Sequence, residues 1–309
     1  MKLIGKLGVG IALLAICGIS IYAVQDAPTD EIFEKKFVND YNVYALQLPE
    51  KMDFAGEEVP LHDPDIRERM DRELLVNTYW QSNGLLLFKR ANIYFPQIEP
   101  LLKKHGIPDD FKYLAVAESG LEYTSSPVGA SGIWHFMKAT GLEYGLEINE
   151  YVDERYNLEK ATMVAANYLK KSKSRFGSWT MAAASYNAGM GGMNKQIGRQ
   201  QQTDYYDLLL NSETSRYVFR ILALKEIMEN PKKYGFNFRE KDLYTNIPTY
   251  KVKVTTPITD FAEWVKPYGI NYKILKRHNP WLRDTYLKNS SGKEYFIEIP
   301  EKGYYTEVK

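Results

Sequence analysis

The spacing of apolar residues constrains the fold most, because it is helical along most of the chain. In the first helical stretch the apolar residues lie four or five positions apart: Ile66, Met70, Leu74 and Tyr79. Such spacing puts apolar side chains on one face of a helix, with the charged residues between them on the other. Further helical patterns cover about 84–105, 109–119, 158–175, 179–188 and 213–229. The sequence therefore predicts a mainly α-helical domain over residues 61–240.

Two segments before the tail lack this helical pattern. Residues 25–60 mix charges, prolines and a glycine with little periodicity, which is typical of a linker or of an arm that wraps the domain. Between residues 120 and 157 the chain contains five glycines: Gly120, Gly129, Gly132, Gly141 and Gly145. Because glycine breaks helices and favours turns, we expect loops inserted among the helices there.

Alternation typical of strands first occurs in the tail, residues 245–309. Two strand patterns enclose two short helical patterns, in the order Tyr250–Val254, Asp260–Tyr268, Tyr272–Arg277 and Tyr295–Ile299. This order predicts a small α+β domain of β-α-α-β type. We expect the helical domain to fold and act without the tail, because domains of ~180 residues commonly fold alone.

The first 24 residues predict export from the cytoplasm. Lys2 and Lys6 precede an uncharged apolar run over residues 7–24, typical of a secretory signal or a membrane anchor. The run approaches the ~20 residues that span a bilayer, whereas Ile21-Tyr22-Ala23 is typical of a cleavage site. Cleavage, retention as an anchor and lipidation at Cys17 all stay open. Each of them predicts a periplasmic or cell-envelope location, and an anchor or a lipid would also attach the protein to a membrane.

Composition argues against several other classes of function. Lys and Arg number 40 against 39 for Asp and Glu, so no overall positive charge favours nucleic acid. A single cysteine cannot form an intramolecular disulfide or a cysteine-rich zinc site. The four histidines have no ligand-like spacing. We therefore predict no metal and no cofactor.

The first segment with chemical potential is Ala115–Gly120. Glu118 falls there at the end of a predicted helix, directly after an apolar face and before a glycine. A carboxyl walled by apolar side chains has its pKa raised by desolvation, as a general acid requires. A solvated surface carboxylate is the alternative.

Two further segments add groups that suit a sugar-binding cleft. Ser126–Met137 combines glycines with Trp134 and Phe136, whose flat apolar rings are the kind of surface that sugars pack against. Such a tryptophan could equally belong to the core. The third segment places the Tyr186 hydroxyl and the Asn187 amide at a helix end.

In this order, the segments resemble the soluble-lytic-transglycosylase (SLT) family, within it most closely the membrane-bound D type. The matching motifs are Glu118-Ser119, Gly129-Ala130-Ser131-Gly132-Ile133-Trp134, Tyr186-Asn187-Ala188-Gly189 and Glu213-Thr214-x-x-Tyr217-Val218. The similarity runs from about Met70 to about Met228, roughly half the chain. Family members have a lysozyme-like helical fold and cleave the β-1,4 bond from N-acetylmuramic acid (MurNAc) to N-acetylglucosamine (GlcNAc) in peptidoglycan. The resemblance implies the same fold, activity and glycan partner here.

The resemblance also implies roles for individual residues. Glu118 matches the single catalytic acid/base of the family. The implied substrate-binding residues are Ser126, His135, Met137, Tyr186, Asn187, Glu213 and Tyr217. His135 is a departure, since the family usually has glutamine at this position. An imidazole donates or accepts one bond where an amide does both, so this sugar contact could depend on pH.

A single carboxylate constrains the mechanism, because glycosidases ordinarily use two. Glu122 and Asp153 are the nearest candidates for a second one. The resemblance implies a different route, in which the N-acetyl group of the substrate supports the positive centre. Glu118 would protonate the leaving oxygen and then deprotonate the C6 hydroxyl, which closes into a 1,6-anhydro ring. A true hydrolase and a non-catalytic peptidoglycan-binding protein stay open as alternatives.

The tail resembles a LysM module more loosely. The helix-loop-helix pattern is carried by Asp260-Phe261-Ala262, Tyr268-Gly269-Ile270 and Asn279-Pro280-Trp281-Leu282. The usual opening of such a module is altered here, at residues 254–259. Glycan binding and a packing or spacer role both stay open for the tail.

Overall fold

A computed structural model describes residues 29–39 and 43–305. It divides into two units, residues 1–45 and residues 46–309. The first unit contains one described helix, α1 (Asp30–Asn39). The predicted signal or anchor, with Cys17, lies outside the described residues. Within the described part, no helix has the length and apolar character needed to cross a membrane.

Seven helices form most of the second unit up to residue 245. They are α2 (Pro64–Tyr79), α3 (Gln81–Lys104), α4 (Phe111–Ser119), α5 (Lys138–Glu143), α6 (Leu158–Phe176), α7 (Trp179–Gln200) and α8 (Ser212–Glu229). The six helical patterns in the sequence are thereby confirmed, with α7 extending beyond the predicted end. Helix α5 was not predicted, because it lies in the stretch where loops were expected. Helix α8 packs against α2, α4 and α7, and α6 packs against α7 and α3. The apolar core therefore lies around α8 and α4.

Short polar side chains determine where several of these helices begin. Asp63, Asn157, Ser178 and Asn211 cap α2, α6, α7 and α8, each accepting a hydrogen bond from an amide of the first turn. Such caps satisfy amides that have no partner within the helix.

A short hairpin precedes α2 and was not expected. Strands β1 (Asp53–Phe54) and β2 (Glu57–Glu58) pair antiparallel, in a stretch where the sequence shows no alternation typical of strands. Strands of two residues are too short to show alternation in a sequence. Phe54 is fully buried and its ring lies 5.1 Å from that of Phe111 in α4. This part of the predicted linker is therefore packed on the helical core.

The tail has the predicted order of elements. Strands β3 (Thr249–Val254) and β4 (Tyr295–Pro300) pair antiparallel, with Val252 opposite Ile297. Between them lie α9 (Phe261–Trp264) and α10 (Tyr272–His278). The β-α-α-β prediction is confirmed.

Candidate active site

Glu118 occupies the last turn of α4. The helix ends because Gly120 adopts the left-handed conformation, with a φ of 60° that glycine accepts without strain. Arg90 of α3 donates a hydrogen bond to the Gly120 carbonyl at 3.2 Å. The Ser119 hydroxyl donates to the Ile133 carbonyl at 2.8 Å. These contacts fix the end of α4 and the direction of the Glu118 side chain.

The Glu118 carboxyl lies between two groups of different chemistry, a phenol hydroxyl and an imidazole. The Tyr217 hydroxyl donates a hydrogen bond to Oε1, and Nδ1 of His135 lies 3.8 Å from Oε2. Only 16% of the Glu118 side chain is exposed. Burial raises the pKa of Glu118 to about 7, although the Tyr217 hydrogen bond and the charge of Arg220 act in the opposite direction. The carboxyl thus has the raised pKa that the sequence predicted.

His135 approaches Glu118 from a loop that we call the site loop, residues 124–136. Its backbone has a positive φ of 50°, an uncommon conformation for a residue with a side chain. Nε2 lies 3.1 Å from the Thr124 hydroxyl, which fixes the plane of the ring. Burial lowers the pKa of His135 from 6.5. The imidazole is therefore neutral near pH 7 and puts no positive charge beside Glu118.

Helix α7 contributes Tyr186 and Asn187. The Tyr186 hydroxyl donates to the Trp134 carbonyl at 2.8 Å, and Asn187 Oδ1 accepts a bond from the Thr214 hydroxyl at 2.9 Å. Just beyond them, Gly189 interrupts the helix with a φ of 71° and a ψ of 149°. The interruption falls where the sequence predicted the helix to end. Tyr186 therefore connects α7 to the site loop, and Asn187 connects it to α8.

Helix α8 contributes Tyr217 and Glu213. Tyr217 is buried, whereas the Glu213 side chain is 57% exposed and forms an ion pair with Arg220 at 3.2 Å. The charge of Glu213 works to raise the pKa of Glu118 and that of Arg220 to lower it. This pair is thus close enough to Glu118 to tune the carboxyl.

Ser126 and Met137 lie at the margin of this group. The Ser126 hydroxyl accepts a bond from the Ala130 amide within the site loop at 3.0 Å. Met137 precedes α5 and is 44% exposed. Within the described residues, neither side chain hydrogen bonds to Glu118, so their predicted contacts with substrate stay predictions.

The prediction that Trp134 and Phe136 offer sugar-stacking surfaces is wrong. Trp134 is fully buried and Phe136 is 4% exposed. The indole Nε1 donates to the Thr162 hydroxyl of α6 at 2.9 Å. Both rings belong to the helical core, which is the alternative that the sequence left open for Trp134.

The two candidates for a second carboxylate, Glu122 and Asp153, and the neighbouring Glu154 are each paired with a cation. Glu122 forms an ion pair with Arg90. Asp153 is buried and pairs with Arg155, whose Nη2 lies 2.7 Å from Oδ2. Glu154 is buried and pairs with Lys160. Each of these carboxylates thus has a cationic partner within ion-pair distance.

Sequence reasoning gave no role to Thr124, Thr214 or Arg220. Arg220 follows Glu213 by seven residues, two helical turns, so its position on the same face of α8 could have been read from the spacing. Nothing in the sequence marks Thr124 as a partner of His135. Within the described part of the chain, no group of three or more His, Cys, Asp or Glu side chains could hold a metal ion.

Comparisons with known proteins agree with this arrangement. Residues 96–209 match the transglycosylase SLT domain family, and residues 250–303 match the soluble lytic transglycosylase C-terminal LysM-like domain family. The chain is 30% identical over 258 residues to membrane-bound lytic murein transglycosylase D of Escherichia coli strain K12, and equally to the protein of that name from E. coli O6:H1. The match covers 81% of this chain and 55% of each relative, so the chain spans about half the length of the curated relatives it matches. The resemblance and the fold class, a lysozyme-like helical domain followed by a LysM-like domain, are confirmed.

Proposed function

We propose that the chain is a peptidoglycan lytic transglycosylase, from the premise that it carries a transglycosylase SLT domain followed by a soluble lytic transglycosylase C-terminal LysM-like domain. The observation that carries the proposal is the environment of Glu118, one sheltered carboxyl with a pKa raised to about 7. A group that titrates there can both donate and accept a proton near neutral pH. The bond cleaved is the β-1,4 bond from MurNAc to GlcNAc.

In the first step Glu118 acts as the acid. Its proton passes to the glycosidic oxygen as the bond from that oxygen to C1 of MurNAc breaks, and the GlcNAc leaves as an alcohol. The carboxylate left behind accepts the Tyr217 hydrogen bond. Hydrogen bonds to an ionised group are the stronger ones, so Tyr217 stabilises Glu118 in its charged state. The N-acetyl group of the substrate supports the positive centre at C1.

In the second step the same carboxylate acts as the base. It takes the proton of the C6 hydroxyl, and O6 bonds to C1 to close a 1,6-anhydro ring. Glu118 is protonated again, no water is consumed, and one carboxyl completes the cycle. The ion pairs of Glu122 and Asp153 support this route. These two residues are the candidates for a second, hydrolytic carboxylate, and each is paired with an arginine.

The remaining residues of the site bind and orient the glycan in this proposal. The neutral His135 offers one donor or acceptor next to Glu118, and Asn187 offers its amide from α7. Glu213, Ser126 and Met137 lie at the margin, where they contact more distant parts of the strand. The peptidoglycan strand is the partner.

The location belongs to the proposal as well. We infer export to the cell envelope, with residues 7–24 as a signal or an anchor. The apolar run in the sequence supports this, as does the name of the relatives, which describes those proteins as membrane-bound.

Replacement of Glu118 by glutamine tests the proposal. Glu118→Gln keeps the shape of the side chain but cannot transfer a proton, so cleavage of peptidoglycan should fall by about 10²–10⁴. Glycan binding and thermal stability should stay near wild type. Glu122→Gln is the matched control, because it neutralises a partly exposed carboxylate four residues later. Near-wild-type turnover by Glu118→Gln, or an equal loss in the control, would contradict the assignment.

A further inference from the structure

The segment of residues 147–156, which we call the linking segment, pairs with the tail through its backbone. The Asp153 amide donates to the Trp281 carbonyl at 2.9 Å, and the Arg283 amide donates to the Tyr151 carbonyl at 2.8 Å. Val152 and Leu282 face each other in this short antiparallel bridge. The linking segment thus extends the hydrogen-bonded structure of the tail.

Side chains of the linking segment also complete the core of the tail. Val152 is fully buried and Tyr156 is 6% exposed, and both belong to the apolar cluster of the tail rather than to that of the helices. The Arg283 guanidinium lies 4.3 Å from the centre of the Tyr156 ring. The Tyr295 hydroxyl donates to the Glu147 carboxylate at 3.0 Å. Contacts of this kind make the tail and the linking segment one packed body.

On its other side the linking segment holds the site loop. Arg155 is 8% exposed and donates two hydrogen bonds to the Asp153 carboxylate, from Nε at 3.0 Å and from Nη2 at 2.7 Å. Its Nη1 donates to two carbonyls of the site loop, Gly129 at 2.9 Å and Phe136 at 3.0 Å. The Tyr156 hydroxyl adds a bond to Ser125 at 2.7 Å.

The approach of the two segments is close enough to require a glycine. A Cβ at Gly132 would lie 2.0 Å from the Arg155 carbonyl oxygen. Phe136, one of the two carbonyls held by Arg155, directly follows His135, the residue that faces Glu118. A displacement of the linking segment would therefore move the Phe136 carbonyl and, with it, the neighbouring His135 that faces Glu118.

We propose that the tail positions the site loop over Glu118 through Asp153 and Arg155, so that it supports catalysis whether or not it binds glycan. Arg155 is a positioning residue, because it touches the loop and not the reacting atoms. The inference deepens the proposed function and rests on it for its kinetic part only. It changes the expectation that the helical domain acts without the tail, because removal of the tail would expose Val152 and Tyr156 and release the linking segment.

The first test loosens the tail in the full chain and follows the site loop by amide hydrogen exchange. Leu282→Ala removes a fully buried side chain opposite Val152. We expect at least tenfold faster exchange at the Ser126, Ser131 and Gly132 amides, each hydrogen-bonded to a carbonyl of the loop. Leu102→Ala is the matched control, since it removes an equally buried leucine side chain from the helical core, near the C-terminal end of α3. It should leave exchange in the site loop at the wild-type rate.

Exchange at Ile258 and Leu287, which pair with each other inside the tail, reports whether Leu282→Ala has loosened the tail. Faster exchange at these two amides with an unchanged site loop would overturn the proposal. This measurement needs no substrate, so its outcome is independent of whether the protein cleaves peptidoglycan.

The second test breaks the link itself, in case Leu282→Ala does not fold. Arg155→Lys keeps the charge opposite Asp153 but lacks the planar fork that also reaches the two carbonyls. A loosened loop admits water to Glu118, and we expect kcat to fall roughly tenfold through misplacement. Hydration of Glu118 should also lower its pKa and move the alkaline limb of the pH profile to lower pH, which a loss of stability alone would not do. Wild-type exchange in the site loop together with an unmoved limb would overturn the proposal.

Discussion

Removal of the Tyr217 hydroxyl should move the alkaline limb of the kcat/KM profile to higher pH. This hydroxyl donates a hydrogen bond to Oε1 of Glu118, and the bond favours the charged carboxylate. It therefore lowers the pKa of Glu118, against the burial that raises it to about 7. In Tyr217→Phe the Arg220 charge still opposes the burial, but the hydrogen bond does not. The carboxyl should therefore keep its proton to higher pH.

The size of the shift follows from the strength of such a bond. A hydrogen bond to a charged group contributes about 1.5–3 kcal/mol, and one pKa unit corresponds to about 1.4 kcal/mol. The protonated carboxyl keeps part of the interaction with the hydroxyl, so we expect the lower end, about one unit. The alkaline limb of kcat/KM should move from about pH 7 to about one unit higher.

The assay is the initial rate of cleavage of soluble glycan fragments between pH 5 and 9. Tyr113→Phe is the matched control. It removes a tyrosine hydroxyl on α4, the helix of Glu118, and this hydroxyl bonds to a different carboxylate, Glu229, at 3.2 Å. Its limb should coincide with that of wild type. A limb in Tyr217→Phe that stays in place or moves to lower pH would refute the reasoning, since the hydroxyl would then not stabilise the charged form of Glu118.

Two further predictions concern the arm and the site loop. Burial works to raise the pKa of Glu57, but hydrogen bonds from the first amides of α7 outweigh it and hold the pKa below 4.5. Glu57→Gln should lower the free energy of unfolding by about 1–3 kcal/mol at pH 7, and the difference in urea midpoint should vanish as the pH falls from 4.5 through the folded-state pKa. Glu58→Gln, at the exposed neighbouring residue, is the control. A difference in urea midpoint between wild type and Glu57→Gln that persists in acid would contradict the account. His135→Gln should extend the activity plateau to lower pH, because the wild-type imidazole takes up a proton in acid at 3.8 Å from Glu118, whereas identical acid limbs would refute this.

Local patterns were sufficient to predict six of the seven helices before the tail in the second unit, and the position of Glu118 at the end of one of them. The pattern over 158–175 corresponds to α6, which Asn157 caps at its start and a left-handed Gly177 ends. The end predicted at residue 188 marks the place where Gly189 leaves the helical conformation. Periodicity and end signals are local properties, so a single sequence is enough to reveal them.

Contacts between distant segments could not be predicted in the same way. The carboxylate of Glu57 binds the start of α7, more than a hundred residues away, and only the fold brings the two together. The sequence suggested Asp153 as a candidate for a second catalytic carboxylate. The structure shows its side chain bonded to the amide and guanidinium of Arg155. Trp134 was equally ambiguous, because a buried and a sugar-facing indole follow from the same sequence pattern.

The central claim is that one carboxyl, Glu118, completes the reaction without water, and the chemistry of the product tests it most directly. Peptidoglycan sacculi would be digested with the full chain, and the muropeptides analysed by mass spectrometry before and after borohydride reduction. We predict that the new MurNAc ends are 1,6-anhydro rings, which weigh one water less than hydrolysed ends and are not reduced. Reducible ends as the main product would contradict the account and point to a hydrolase with a second carboxylate.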